Sequence, residues 1–109
     1  MDHVCINGGD AQGAETIAGA IASLFGLPVT NKPTSVYAGS GVEVAKVPGP
    51  GAHGHIGFAV ADIQAAVDWL EAKGVRMDYG LRKFTQDGHL RLIYLEGEVG
   101  GFALHLIQK

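Results

Sequence analysis

The stretch GHIGFAVADIQAAVDWLEAKGV, residues 54–75, decides the fold. Ile56, Phe58 and Val60 alternate with His55, Gly57 and Ala59, which is the period of a strand with one apolar face. Asp62 then stands where a helix N-cap belongs, and Ile63, Ala66, Val67 and Leu70 recur at helical spacing until Gly74 ends the run. A strand headed by a histidine therefore feeds a helix. The segment HVCINGGD, residues 3–10, repeats the arrangement. His3 precedes Asp10 by the same interval as His55 precedes Asp62, and Val4 and Ile6 alternate with His3, Cys5 and Asn7. A helical stripe of Ile17, Ala18, Ile21, Leu24 and Phe25 follows, with Gly26 at its end and Pro28 just beyond.

Working outward, TSVYAG and GVEVAKV read as a pair of strands about Gly39-Ser40-Gly41, and Leu27 to Pro33 as loop with room for a short strand. PGPGAHG, residues 48–54, is a linker. Beyond Gly74, residues 76–84 are extended, and residues 90–95 and 102–108 form the last strands. The order is β-α-β-β, linker, β-α-β-β-β, an internal repeat whose copies span 1–48 and 54–109 within a single domain, 1–109. The class is α+β: two βαββ(β) modules forming a curved, mostly antiparallel sheet with helices outside. The apolar face of each leading strand is expected under its helix, leaving a small and polar face to line a cup.

Composition bounds the function. A net charge of −3, with no clustering of Lys and Arg, gives no footprint for nucleic acid. The apolar segment 14–29 carries Glu15 and has no preceding basic residue, so it fails the pattern of a signal core, and no segment spans a membrane. Cys5 is the one cysteine, which excludes an internal disulfide and points to a reducing, cytoplasmic setting. No dinucleotide fingerprint or nucleophile motif is present.

The strands that close the two copies carry the chemistry. Glu43 lies four residues after Gly39, and His105 lies four after Gly101. Val42 and Val44 flank the first, Leu104 and Leu106 the second, so both polar side chains point away from the apolar face. His3, Glu43, His55 and His105 thus occupy pairwise equivalent positions on one face. Three imidazoles and a carboxylate suit a divalent transition ion (Zn²⁺, Ni²⁺, Co²⁺, Fe²⁺ or Mn²⁺) better than Mg²⁺. Each histidine alone is more often an ordinary part-buried residue, and it is the repeat equivalence that argues for a site. Cys5 shares the face as a small apolar filler, and His53 and His89 lie in solvated turns. Tyr37 and Tyr94 stand at comparable points of the two copies, and Arg76, Arg82 and Lys83 form a solvated edge that could also receive a carboxylate or phosphate.

The paired units, residues 54–75 and the closing EVGGFALHL resemble the glyoxalase/bleomycin resistance/dioxygenase (vicinal oxygen chelate) superfamily along nearly the whole chain. The resemblance implies metal ligands from the first and last strands of each module, here His3, Glu43, His55 and His105. The chain departs from that pattern in a first module one strand short and in a histidine, His105, where a glutamate is usual. It implies a small ligand bound through two neighbouring oxygens, such as a 2-oxo acid, with the ion as Lewis acid, Glu43 as the proton-transfer group, and lyase or isomerase chemistry. A narrower resemblance, through LFGLPV, SVYAGSGVEVAKVPGPG and IYLEGEVGGFALHLIQK, is to the glyoxalase-like module associated with bacterial 2-keto-3-deoxy-6-phosphogluconate/4-hydroxy-2-oxoglutarate aldolases. It implies the alternative of a non-catalytic metabolite-binding or assembly module beside an aldolase domain. A drug-sequestering role ranks last, because aromatic residues make up 7% of the chain and such a groove needs more. Uncovered sheet faces and Trp69 point to a homodimer.

Overall fold

Both strand-to-helix junctions use the start signal written in the sequence. The Asp10 carboxylate accepts a hydrogen bond from the Gly13 amide at 2.7 Å, and the Asp62 carboxylate accepts one from Ala65 at 3.0 Å. The computed structural model describes residues 1–109. Strand β1 (His3–Asn7) leads to α1 (Ala11–Phe25), then β2 (Val29–Asn31), β3 (Ser35–Ala38) and β4 (Val42–Ala45). After the linker, β5 (Gly54–Val60) leads to α2 (Ile63–Ala72), β6 (Met77–Phe84), β7 (Leu90–Leu95) and β8 (Phe102–Gln108).

All eight strands form one sheet in the order β2-β3-β4-β1-β5-β8-β7-β6. The two leading strands meet antiparallel at its centre, and each has the last strand of its own copy as a parallel neighbour, β4 beside β1 and β8 beside β5. The first copy is not a strand short: β2 supplies the third strand after its helix. Its three residues are all exposed at the sheet edge, so no apolar alternation marks it in the sequence.

The α1 stripe differs from the expected one. Ala14, Ala18 and Ala22, at successive four-residue steps, are buried against Val36, Ala38 and Val44, with Ile17 and Ile21 at the margins. Alanines let the helix lie close to the sheet, whereas Leu24 and Phe25 are 77% and 73% exposed. In α2, Ile63 and Val67 pack with Met77, Ile93 and Leu106, flanked by Ala66 and Leu70, the stripe read from the sequence.

Because α1 packs mainly on β3 and β4 and α2 on β7 and β8, the helix-side face of the central strands is only partly under the helices, contrary to expectation. Of its residues, Ile6 packs against the first core and Val60 against the second. Phe58, Leu104, Trp69 and Leu70 instead line an open apolar groove of about 360 Å³. The opposite face carries a separate small cluster of Leu92, Tyr94 and Ala103. No helix is long and apolar enough to cross a membrane.

Candidate metal centre

Strand register assembles the site. His3 stands opposite Gly57, and Gly57 opposite His105 on its other side. Two residues along, Cys5 stands between His55 and Glu43. The two copies therefore present the same figure: a histidine from the leading strand of one copy and the polar residue of the other copy's last strand, facing each other across one intervening residue. In one figure the intervening residue is Gly57, and in the other it is Cys5.

That difference shapes the centre. With no side chain at Gly57, the rings of His3 and His105 close over its backbone, and their Nε2 atoms lie 3.3 Å apart. The Nε2 of His55 lies 3.4 Å from that of His3. One ligand atom from each of His3, His55 and His105 falls within 4.8 Å of the others. Cys5 fills the equivalent space in the other figure, so Glu43 gathers with Cys5 and His55, also within 4.8 Å, beside the three-histidine cluster. The sequence pattern placed all four ligands in one set; the structure brings the three histidines together and sets Glu43 in an adjoining group that shares His55.

The spacing fits an ion. Four-coordinate zinc–nitrogen bonds of about 2.0–2.1 Å put neighbouring ligand atoms at tetrahedral corners roughly 3.3–3.4 Å apart. The protonation pattern fits as well. The Nδ1–H of His3 donates to the Asp2 carboxylate at 2.7 Å, which fixes the tautomer that leaves Nε2 free to ligate. Burial, reinforced by the neighbouring histidines, lowers His55 below the ordinary imidazole range and holds His105 down to about 4, so both rings are neutral at pH 7. Nδ1 of His55 and of His105 is buried without a hydrogen-bond partner. Packing orients these two rings instead: His105 lies 4.8 Å from Tyr94 between centroids, and His55 meets Tyr94 edge to face at 5.8 Å. A cation at this point would be met by the lone pair of His3 Nε2 and, in the matching tautomer, by those of His55 and His105 together.

Around the cluster, burial, with the charge of Glu43 adding to it, pushes the Cys5 thiol up to about 12. Cys5 is thus a neutral filler rather than a reactive thiolate. Burial also pushes the Tyr94 phenol up to about 12 and raises Tyr37, with Glu43 contributing to both, so the two hydroxyls are protonated donors. Neither His53 nor His89 enters the cluster, and both are exposed. Gly57 and Asp2 are the functional positions the sequence reading missed. Asp2 precedes the first strand, where no pattern marks it, but an unexplained glycine opposite a proposed ligand could have pointed to Gly57.

Gly57→Ala tests the close approach. A Cβ there would stand 2.5 Å from His3 Cε1 and 2.8 Å from His105 Nε2, and the Gly57 backbone is not among the positive-φ glycines. The rings must move rather than the strand. The expected result is a loss of Zn²⁺ affinity of about tenfold or more, by titration calorimetry, with a metal-free melting temperature close to wild type. Unchanged affinity would mean that the histidines do not act as a preformed set.

The family described as Glyoxalase/Bleomycin resistance protein/Dioxygenase superfamily matches residues 7–94. No curated protein sequence matches the chain significantly. Among solved structures, a variant of Streptomyces coelicolor methylmalonyl-CoA epimerase in complex with 2-nitronate-propionyl-CoA superposes with a TM-score of 0.67 at 17% identity, covering 100% of this chain and 96% of the other. Methylmalonyl-CoA epimerase from Mycobacterium tuberculosis gives 0.62 at 16% identity, with 98% and 85% covered. A hypothetical protein from Bacillus halodurans gives 0.66 at 15%, with 100% and 93% covered. At these identities the likeness is one of fold.

Proposed function

We propose that this chain, which belongs to the Glyoxalase/Bleomycin resistance protein/Dioxygenase superfamily, holds one divalent transition ion on His3, His55 and His105 and binds there a small molecule through two neighbouring oxygens. The observation that carries this reading is the convergence on His3 Nε2 of His105 Nε2 at 3.3 Å and His55 Nε2 at 3.4 Å, with one ligand atom from each of the three rings within 4.8 Å of the others. When bound, the ion supplies Lewis acidity, stabilising negative charge that develops on a ligand oxygen. Glu43 is the proton-transfer group: its carboxylate adjoins His55 but stands outside the three-histidine set, which leaves it free to take a proton from carbon and return it. Tyr94, neutral and packed on His105, faces the same space as a hydrogen-bond donor. Asp2 keeps His3 in the ligating tautomer.

This chemistry suits proton transfer next to a carbonyl, as in an isomerase, an epimerase or a lyase. A 2-oxo acid offers two oxygens at chelating distance and is the first substrate class to try. The epimerase neighbours add methylmalonyl-CoA, and the superfamily adds hemithioacetals. Metal content by elemental analysis comes first; failure to take up Zn²⁺, Ni²⁺, Co²⁺, Fe²⁺ or Mn²⁺ overturns the reading. Proton–deuterium exchange on the three substrate classes, followed by NMR, then tests turnover, and Glu43→Gln is expected to abolish exchange while retaining the ion. An ion bound with no exchange on any class would favour a metabolite-binding module. Association with an aldolase rests on the sequence resemblance, and neither the family nor the structures above name one.

We also propose that the two copies of the repeat lie in one domain and that the chain pairs as a homodimer. The apolar groove lined by Phe58 and Trp69 and the exposed Leu24 and Phe25 support pairing. Sedimentation at micromolar concentration is expected to give about twice the 11.3 kDa chain mass, and a monomer at high concentration would refute it.

A further inference from the structure

The face that carries the histidines continues across β8 and β7 to β6. Tyr94 stands opposite His105, Leu92 opposite Ile107, and Lys83 opposite Leu92, so Lys83 shares the face of the candidate centre. A cavity of about 270 Å³ opens there, lined by Pro50, Leu81, Lys83, Leu92 and Tyr94 among others. Tyr94 belongs both to this cavity and to the packing around His105 and His55, so the cavity adjoins the metal centre. No carboxylate lines it, although the chain as a whole carries a net charge of −3.

Two cations border the cavity and differ in state. Arg82 is engaged: its Nε donates to the Tyr79 carbonyl at 2.6 Å, and its guanidinium lies over the rings of Tyr79 and Phe84. It stands opposite Ile93, a residue of the helix-side core, and although it also lines the cavity, its side chain is held against Tyr79 and Phe84. Lys83 is in neither of the chain's two ion pairs, which are His3–Asp2 and Arg76–Glu96.

We infer that this cavity is the seat of a second, anionic group on the ligand, a carboxylate or a phosphate, held by Lys83 while the other end is held at the histidines. The inference rests on the proposed metal site for where that other end lies. It narrows the ligand class to small chelators that carry an additional oxyanion a few bonds from the chelating oxygens. Lys83 is then a specificity-determining residue, and Tyr94, at the junction, donates to the segment between the two ends. An ammonium in no ion pair, beside a cavity whose lining holds no carboxylate, favours an oxyanion, because a charge-assisted hydrogen bond is stronger than a neutral one.

The test compares two hydroxamates on the Zn²⁺-loaded protein by titration calorimetry. Acetohydroxamate chelates and carries nothing more, whereas phosphoglycolohydroxamate adds a phosphate. The expected result is tighter binding of phosphoglycolohydroxamate, lost by about tenfold in Lys83→Gln and largely kept in Lys83→Arg, with acetohydroxamate unchanged in both. Lys73→Gln, at the end of α2 and over the Trp69 ring, should preserve the preference. No preference for the phosphorylated chelator in wild type, or a preference that survives Lys83→Gln or disappears in Lys73→Gln, overturns the proposal. A second arm stands without the ion. In chelator-treated protein, inorganic phosphate and malonate are titrated separately while the Tyr94 and Lys83 side-chain resonances are followed. Saturable shifts that vanish in Lys83→Gln support the anion seat even if no metal binds, and the stronger of the two anions tells phosphate from carboxylate. Absence of shifts with both anions in wild type overturns it.

Discussion

Purified His55→Ala and His105→Ala proteins are expected to bind Zn²⁺ about a hundred- to a thousandfold more weakly than wild type. Structural zinc sites bind with about 10–16 kcal/mol over four ligands, so each ligand carries about 2.5–4 kcal/mol, and that loss is two to three decades in affinity. His105 shows the larger effect of the two on geometry as well, because the residue is 1% exposed and packs at a tilt against Tyr94, and its removal leaves a void beside the remaining pair. Asp2→Asn keeps all three ligands but weakens the tautomeric lock on His3, for a smaller loss of about tenfold to a hundredfold. Glu43→Gln separates the roles: it should bind the ion within a few-fold of wild type while losing proton exchange. Equal affinities across the histidine series would remove the metal from the account. A loss in Glu43→Gln as deep as in His105→Ala would make Glu43 a ligand instead of a base. A calorimetric titration of each variant, with the metal-free melting temperature as a check on folding, reads all of these.

These expectations draw on parts of the site that were legible in the sequence to different degrees. The repeat is carried by strong local signals, Asp10 and Asp62 at the helix starts and a histidine a fixed distance before each. From such signals the alternation of Val4 and Ile6, or of Ile56 and Phe58, assigns the histidines to one face without any knowledge of tertiary contacts. The antiparallel meeting of β1 and β5 then brings the two copies together. What alternation cannot supply is the space between residues that share a face. Glu43 and His105 are equivalent in the repeat, yet Gly57 lets the imidazole reach its partner and Cys5 stands in the corresponding place before the carboxylate. That distinction depends on one side-chain volume across a strand pair. The α1 stripe was misjudged for a related reason. Leu24 and Phe25 are more apolar than Ala14 and Ala22, but close helix–sheet packing selects the small residues, and the large ones overhang. Strand β2 is legible only as room for a short strand within residues 27–33, since an exposed edge strand needs only backbone pairing with β3.

The metal-free protein is expected to lose stability as the pH falls from about 6.5 to about 4, in a step traceable to His105. Its imidazole, buried and facing His55 and His3, is held down to about 4, while in the unfolded chain it has the ordinary value of 6.5. Between these values the unfolded state binds a proton that the folded state refuses. Stability is therefore full above the unfolded value, declines through the window, and levels off once the folded state also takes up the proton. The shift corresponds to about 3 kcal/mol, and His55, lowered in the same direction by burial and then by His3, adds to it. Denaturant unfolding of the chelator-treated protein at pH 7 and at pH 4.5 measures the step, and His105→Ala should flatten most of it. Zn²⁺ adds its own binding energy at pH 7, and that added stability should vanish in the same window, because the protons and the ion compete for the same nitrogen atoms. A metal-free protein equally stable at both pH values would mean that the imidazoles are hydrated rather than packed against one another, and would count against the preformed three-histidine cluster from which the proposed function proceeds.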